Sequence, residues 1–266
     1  MNSLEQLYRT SPEWAEITQK TRKALSITAA PPKPSGTPAK AGYYVEVRLL
    51  DGNRVSVNEQ PNRARLPSCC VERHINDDST FCLHLDSTEP VASTEAALAW
   101  WKSLADYLNH QDYASKYRKW PLRGQLSHGN AANIQLRMEA LAKPLGWEDE
   151  LLTSMFRRKG WLAGILPRKA KNGTGLINAR SPCPRGCLQK HYPFRKRACQ
   201  VNSCVAGCSR QHKPILRAKC PHRLTVEQLV LLEYDRRAIE SALIDQLRRD
   251  KVKCCGTMDG CPFTEK

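Results

Sequence analysis

Residues 183–220 contain a pattern of metal-binding residue types that repeats itself. Cys183-x3-Cys187-x3-His191-x7-Cys199 recurs as Cys204-x3-Cys208-x3-His212-x7-Cys220 at a constant offset of 21 residues. Gly186 and Gly207 keep that offset, as do Pro193 and Pro214. Each copy preserves three thiols and one imidazole, the donor set of a tetrahedral Cys3His zinc site, so two zinc ions are expected. A module this small folds on its metal, because affinity for the ion is folding free energy. Ligands shared crosswise between the copies are an open alternative, as is an iron–sulfur cluster, although the histidines favour zinc.

Three of the 12 cysteines lie early in the chain and nine follow residue 180. Once the two repeats are satisfied, His222, Cys254, Cys255 and Cys261 remain as a third set of four. A helix from Thr225 to about Arg249 separates His222 from the three cysteines, with Thr225 and Gln228 placed as a capping box.

Charge divides the chain near the same place. Residues 1–150 carry 18 Lys+Arg against 18 Asp+Glu, whereas residues 151–266 carry 24 against 8, so the whole excess of +16 lies in the second part. The expected organisation is a folded domain over 1–150, a basic linker over 151–180 and a Cys/His-rich zinc module over 181–266. Basic residues interleave with the ligands, and Tyr192 and Phe194 are available for stacking on bases. Such a surface suits an acidic protein or the phosphate backbone of nucleic acid, or it merely solvates a small stapled domain.

Within the charge-balanced part, one cysteine stands in a setting suited to chemistry. The segment reads Arg65-Leu-Pro67-Ser-Cys69-Cys70-Val-Glu-Arg-His74-Ile75-Asn76-Asp77-Asp78-Ser-Thr-Phe81-Cys82-Leu83. A thiolate is the nucleophilic form of cysteine. An asparagine amide is an uncharged donor for a developing oxyanion, worth roughly 3 kcal/mol. The ordinary alternative is that Cys82 is a small buried core residue. Upstream, Tyr43–Leu49 alternates as a strand, and Asp51-Gly52-Asn53 turns into a second strand around Arg54–Val57. Downstream, Ser93 or Thr94 caps a helix with apolar positions Leu98, Trp101, Leu104, Ala105 and Leu108. Asn2–Leu25 also reads as helical, with Ser11-Pro12-Glu13 as an internal start signal.

This arrangement resembles the active-site segment of ubiquitin-conjugating enzymes, in which His-Pro-Asn precedes a turn and then a hydrophobic residue, Cys and Leu. Ile75 stands where the family has proline, and the Asn-to-Cys interval is short. The pattern is closest to divergent bacterial members with cysteine-rich regions, found in phage-defence and ubiquitin-like modification gene clusters. The continuation Trp100-Trp101…Gln111…Trp120-Pro121…Ser127-His128-Gly129 is similar to theirs. The resemblance implies an α+β fold, a small antiparallel sheet with flanking helices, ahead of the zinc module and its long helix. It implies that Cys82 carries a protein C-terminus as a thioester, that Asn76 stabilises the oxyanion and that His74 organises the loop. The implied partners are an activating enzyme and a cargo, either a ubiquitin-like protein or a nucleotidyltransferase of a defence cluster.

Two functions follow from these observations. The first is a conjugating-type thioester transferase. The second is a non-catalytic adaptor or nucleic-acid-binding protein in which the zinc module is the working part. No run of about 18 apolar residues is present, so no membrane span is expected. The first residues lack the pattern of a secretory signal, which points to the cytoplasm, where cysteines serve as thiols or metal ligands. Elemental analysis of the purified protein should find at least two zinc ions, with Cys187→Ser and Cys208→Ser each losing about one.

Overall fold

In a computed structural model, the described residues are 2–33, 42–83, 90–171, 173–177 and 221–264. The chain forms two compact units, Met1–Gly124 with Ile244–Lys266, and Gln125–Leu243.

The first unit is built on a four-stranded antiparallel meander. Strands β1 (Ala15–Lys20), β2 (Ala24–Ala29), β3 (Tyr43–Leu49) and β4 (Val55–Glu59) lie side by side in chain order. Alternation decides which face is buried. Leu25, Ile27 and Ala29 of β2 pair with Val47, Val45 and Tyr43 of β3, and Val47 pairs in turn with Val57 of β4. All seven are nearly inaccessible, while the intervening residues are partly exposed. Successive strand side chains point to opposite faces, so this register puts one apolar layer on one side of the sheet.

Helix α1 (Ser3–Arg9) and helix α2 (Thr94–Tyr117) complete the core. Asn2 caps α1 through its side chain, which accepts from the Glu5 N–H at 2.8 Å. Ser93 caps α2, its Oγ accepting from the Ala96 N–H at 3.1 Å. The buried face of α2 runs through Ala97, Trp101, Leu104, Leu108 and Gln111, with Trp100, Tyr107 and Ala114 beside it. The Trp101 indole N–H donates to the Leu7 carbonyl of α1, and Trp14 meets the same indole edge to face at 5.6 Å.

Three local expectations are corrected. Asn2–Leu25 is not one helix, because only Ser3–Arg9 is helical and residues 15–29 form β1 and β2. The β-branched residues Ile17, Thr18, Ile27 and Thr28 favour extended backbone, and Thr21 closes the hairpin by accepting from the Lys23 and Ala24 N–H groups. Leu98 does not belong to the buried stripe of α2; it is 55 % exposed and Ala97 takes the inward place. The long helix begins before Thr225, so Thr225 and Gln228 lie inside it rather than at a capping box. That helix, α5, covers Arg223–Arg249.

In the second unit, helices α3 (Ala131–Ala142), α4 (Glu148–Phe156) and the first part of α5 enclose a separate core. It holds Met138, Trp147, Leu151, Trp161, Leu162 and Leu229 among others. Residues 161–176, inside the stretch read as a basic linker, bury Trp161, Leu162, Leu166 and Leu176. Arg236 is buried and forms a two-bond pair with Glu233 at 2.7 and 2.9 Å, with further bonds to Glu240 and Ser127. Those carboxylates hold its guanidinium protonated against the cost of burial. No helix among the described residues is long and apolar enough to cross a membrane.

Leu104 and Leu98 lie on opposite sides of the burial boundary of α2. Leu104→Ala should destabilise the first unit by about 2–5 kcal/mol, and Leu98→Ala should stay within about 0.5 kcal/mol. Denaturant unfolding monitored by tryptophan fluorescence measures both.

Candidate active site

The segment from Cys70 to Cys82 folds as a short hairpin on the edge of the sheet. Ile75 bridges both Cys70 and Phe81, and Thr80 bridges Asn58 of β4. The Asn76 N–H donates to the Thr80 carbonyl at 2.9 Å, and the Cys82 N–H donates to the His74 carbonyl at 2.9 Å. The Phe81 N–H reaches the Val57 carbonyl at 2.8 Å, which ties the hairpin to β4. Bridge partners share a face, so Ile75 and Phe81 both enter the core, at 2 % and 7 % exposure. Their neighbours Asn76, Thr80 and Cys82 therefore fall on the other face. Asn76 lies opposite Thr80, and Cys82 follows two residues further along the same arm, opposite His74.

The tip of the hairpin fixes the Asn76 amide. Its Nδ2 donates to Thr80 Oγ1 at 2.9 Å, and that hydroxyl donates to Asp78 Oδ1 at 2.6 Å. Asp78 Oδ1 also accepts the Thr80 N–H at 3.0 Å. An amide nitrogen carries two hydrogens, and the Thr80 bond uses one of them. The other has no partner among the described residues.

His74 takes the left-handed conformation (φ 55°, ψ 43°) at the entry to the hairpin. This turn sends its ring edge-on against Trp120, at 5.0 Å between ring centres. Its contribution to the site is through its backbone: the His74 carbonyl accepts both from Cys82 and, at 3.2 Å, from the Tyr107 hydroxyl. Tyr107 also reaches the Arg73 carbonyl at 3.2 Å, where Gln111 Nε2 donates at 2.8 Å. Tyr107 and Gln111 sit one turn apart on α2, on the same face.

Cys82 is half-buried, and burial alone pushes its thiol above the ordinary value of 9.0. Tyr107, stacked on Phe81 at 4.7 Å, is close enough to feel a charge on Cys82. Among the described residues, no cation is positioned to lower the Cys82 thiol.

The three residues named from sequence thus come together on one hairpin. Tyr107, Thr80 and the buried Arg73, whose Nη2 donates to Ser115 Oγ at 2.7 Å, were not singled out from sequence. The spacing of Tyr107 and Gln111 was the available signal for the first. Of the metal ligands, those from Cys183 to Cys220 (Cys183, Cys187, His191, Cys199, Cys204, Cys208, His212 and Cys220) lie outside the described residues. His222 belongs to the second unit, edge-on to Trp147 at 5.6 Å. Cys254, Cys255 and Cys261 belong to the first unit and stand near Cys70, whose sulfur is 2.9 Å from that of Cys255.

Residues 14–122 match the family model described as the prokaryotic E2 domain. The chain carries a prokaryotic E2 domain. Residues 195–263 match a second family, the cysteine-rich domain C-terminal to the E2 domain. No curated protein and no solved structure matches the chain. The hairpin with Cys82 falls inside the E2 match. An E2 domain implies a conjugating-type role, and with it an activating enzyme and a ubiquitin-like cargo in general.

A raised thiol pKa means that Cys82 is protonated at neutral pH and becomes nucleophilic only as pH climbs. Alkylation of Cys82 by iodoacetamide, followed by peptide mass spectrometry, should be slower than for a free cysteine at about pH 7. It should then rise about tenfold per pH unit through pH 9. A rate already level below pH 8 would show a stabilised thiolate instead.

Proposed function

We propose that the E2 domain is an active thioester transferase with Cys82 as the acceptor of the cargo. The observation that supports this reading is the hairpin whose two arms carry Asn76 and Cys82, with the Asn76 amide held by Thr80. The Cys82 sulfur attacks the carbonyl carbon of a cargo C-terminal glycine held as a thioester on the activating enzyme. The carbonyl oxygen takes up negative charge in the tetrahedral intermediate. The intermediate collapses by expelling the activating enzyme's thiolate, which takes the proton that Cys82 gave up. In the second step an acceptor nucleophile attacks the new thioester, the second Asn76 N–H is the donor for the oxyanion that forms, and the Cys82 thiolate leaves and takes up the nucleophile's proton.

His74 acts through its carbonyl, which fixes the Cys82 backbone, and through the Tyr107 hydroxyl bound to the same oxygen. The cargo is a ubiquitin-like protein or a defence nucleotidyltransferase, the setting is antiphage defence in bacterial cytoplasm, and the basic tail holds an acidic partner or nucleic acid. Zinc is the metal of the cysteine-rich domain, for which three thiols and an imidazole per repeat are the supporting donor set.

A second reading has its own observation. Burial raises the Cys82 thiol with no compensating cation among the described residues, as in a cysteine that only packs. In that reading the E2 domain is an adaptor for the zinc module.

With its activating enzyme, ATP and cargo, the protein should form an adduct that thiol reductants cleave, seen on non-reducing gels. Cys82→Ala should abolish it, and Cys82→Ser should leave a slower, reductant-resistant ester. Asn76→Ala should charge normally and discharge about 10²-fold more slowly. An adduct on Cys69 or Cys70, or none at all, would leave the adaptor reading standing.

A further inference from the structure

Four cysteines from opposite ends of the sequence meet beside the hairpin. Cys70 opens the Cys70–Ile75 turn, and Cys254, Cys255 and Cys261 come from the tail segment of the same unit. The Cys70 and Cys255 sulfurs are 2.9 Å apart. Cys254 and Cys261 form a second interacting pair, and Cys70 also senses Cys261. The two pairs are joined through the Cys254–Cys255 peptide bond.

Two of the sulfurs also face a polar neighbour. The Gly256 N–H donates to Cys254 at 3.3 Å, and the Thr257 hydroxyl lies 3.0 Å from the Cys255 sulfur. The Arg73 N–H donates to the Cys70 carbonyl at 3.0 Å and closes the turn that carries Cys70. Backbone donors two or three residues after a cysteine, aimed back at its sulfur, stabilise a thiolate held on a metal. A disulfide sulfur bears no charge for them to meet. Gly256 and Gly260, both in the left-handed region (φ 70° and 75°), let the loop between the tail cysteines fold back on itself.

The tail is held at this place by contacts that need no metal. Met258 is buried in the core of the first unit. Arg118, the C-cap of α2, donates to Asp259 at 2.8 Å and to the Gly256 carbonyl at 3.0 Å, and accepts the Asp259 N–H at 2.8 Å. The cysteines are therefore presented to Cys70 on a positioned loop.

We infer that Cys70, Cys254, Cys255 and Cys261 form a tetrathiolate zinc site that fastens the tail to the E2 domain beside its candidate active-site hairpin. The soft, all-sulfur donor set selects zinc among the common divalent ions. Among the described residues no three such side chains already surround one point. Ion binding draws the two pairs together, and the Cys70 and Cys255 sulfurs open from 2.9 Å to the roughly 3.8 Å that tetrahedral bonds of about 2.3 Å require. The fourth ligand thus comes from outside the cysteine-rich match. This site does not depend on Cys82 being catalytic.

Metal content of the full-length protein, purified under reducing conditions and measured by mass spectrometry, tests it. Cys70→Ser and Cys261→Ser should each lose about one zinc per chain. Cys69→Ser and Cys82→Ala should lose none. On the wild-type chain, alkylation with peptide mapping should find Cys70, Cys254, Cys255 and Cys261 protected as a set and released together by a chelator, which reads the site even if a variant misfolds. Unchanged zinc in Cys70→Ser, or a Cys70–Cys255 disulfide in protein that keeps its full zinc content, would overturn the site. A failed thioester assay leaves these readouts untouched.

Discussion

The candidate site depends on two hydrogen-bond donors that α2 sends into the turn before the hairpin. At Arg73 and His74 the backbone leaves regular pairing, with His74 left-handed, and two carbonyls point into the protein interior. A buried carbonyl without a partner costs about 1–3 kcal/mol. The Tyr107 hydroxyl serves both oxygens and the Gln111 amide adds a second bond to one of them. Because α2 is itself locked to the sheet through Trp101, Leu104 and Leu108, the turn takes its position from the core. The hairpin behind it then fixes Asn76 and Cys82 relative to each other.

This order of dependence explains why rigidity and reactivity come from different residues. The Cys82 thiol receives no electrostatic help among the described residues and is held down by burial. The surrounding structure instead spends its hydrogen bonds on geometry: Thr80 and Asp78 orient one amide, and the His74 carbonyl anchors one backbone N–H. In the proposed transferase, orientation of the acyl group then matters more than a strongly acidic nucleophile.

The elements that follow a single local rule were legible in the sequence. Strand β3 alternates, α2 starts at a serine whose side chain caps it, and the hairpin sits between residues of recognisable chemistry. Where two local signals competed, the reading failed. Ser11-Pro12-Glu13 has the form of a helix start, yet the β-branched residues around it pair as β1 and β2, because only pairing with β3 buries Leu25 and Ile27. Leu98 is as apolar as Leu104, and only the sheet decides which of them faces inward. Cys70 and Cys255 lie 185 residues apart in the chain, so no spacing rule brings them together. The tail cysteines stand out in the sequence; their neighbour Cys70 does not.

The first unit is made of two stretches, residues 1–124 and 244–266, with residues 125–243 synthesised between them. At roughly 5–20 residues per second, a ribosome takes on the order of ten seconds to translate that insertion. During this interval the sheet and α2 are already outside the exit tunnel while the Met258 plug and the tail cysteines do not yet exist. Cys70 is left uncovered in a nascent chain whose own thiol-rich middle is emerging beside it. Newborn molecules therefore pass through a stage in which the Cys70 thiol, buried in the finished fold, is still open to its surroundings.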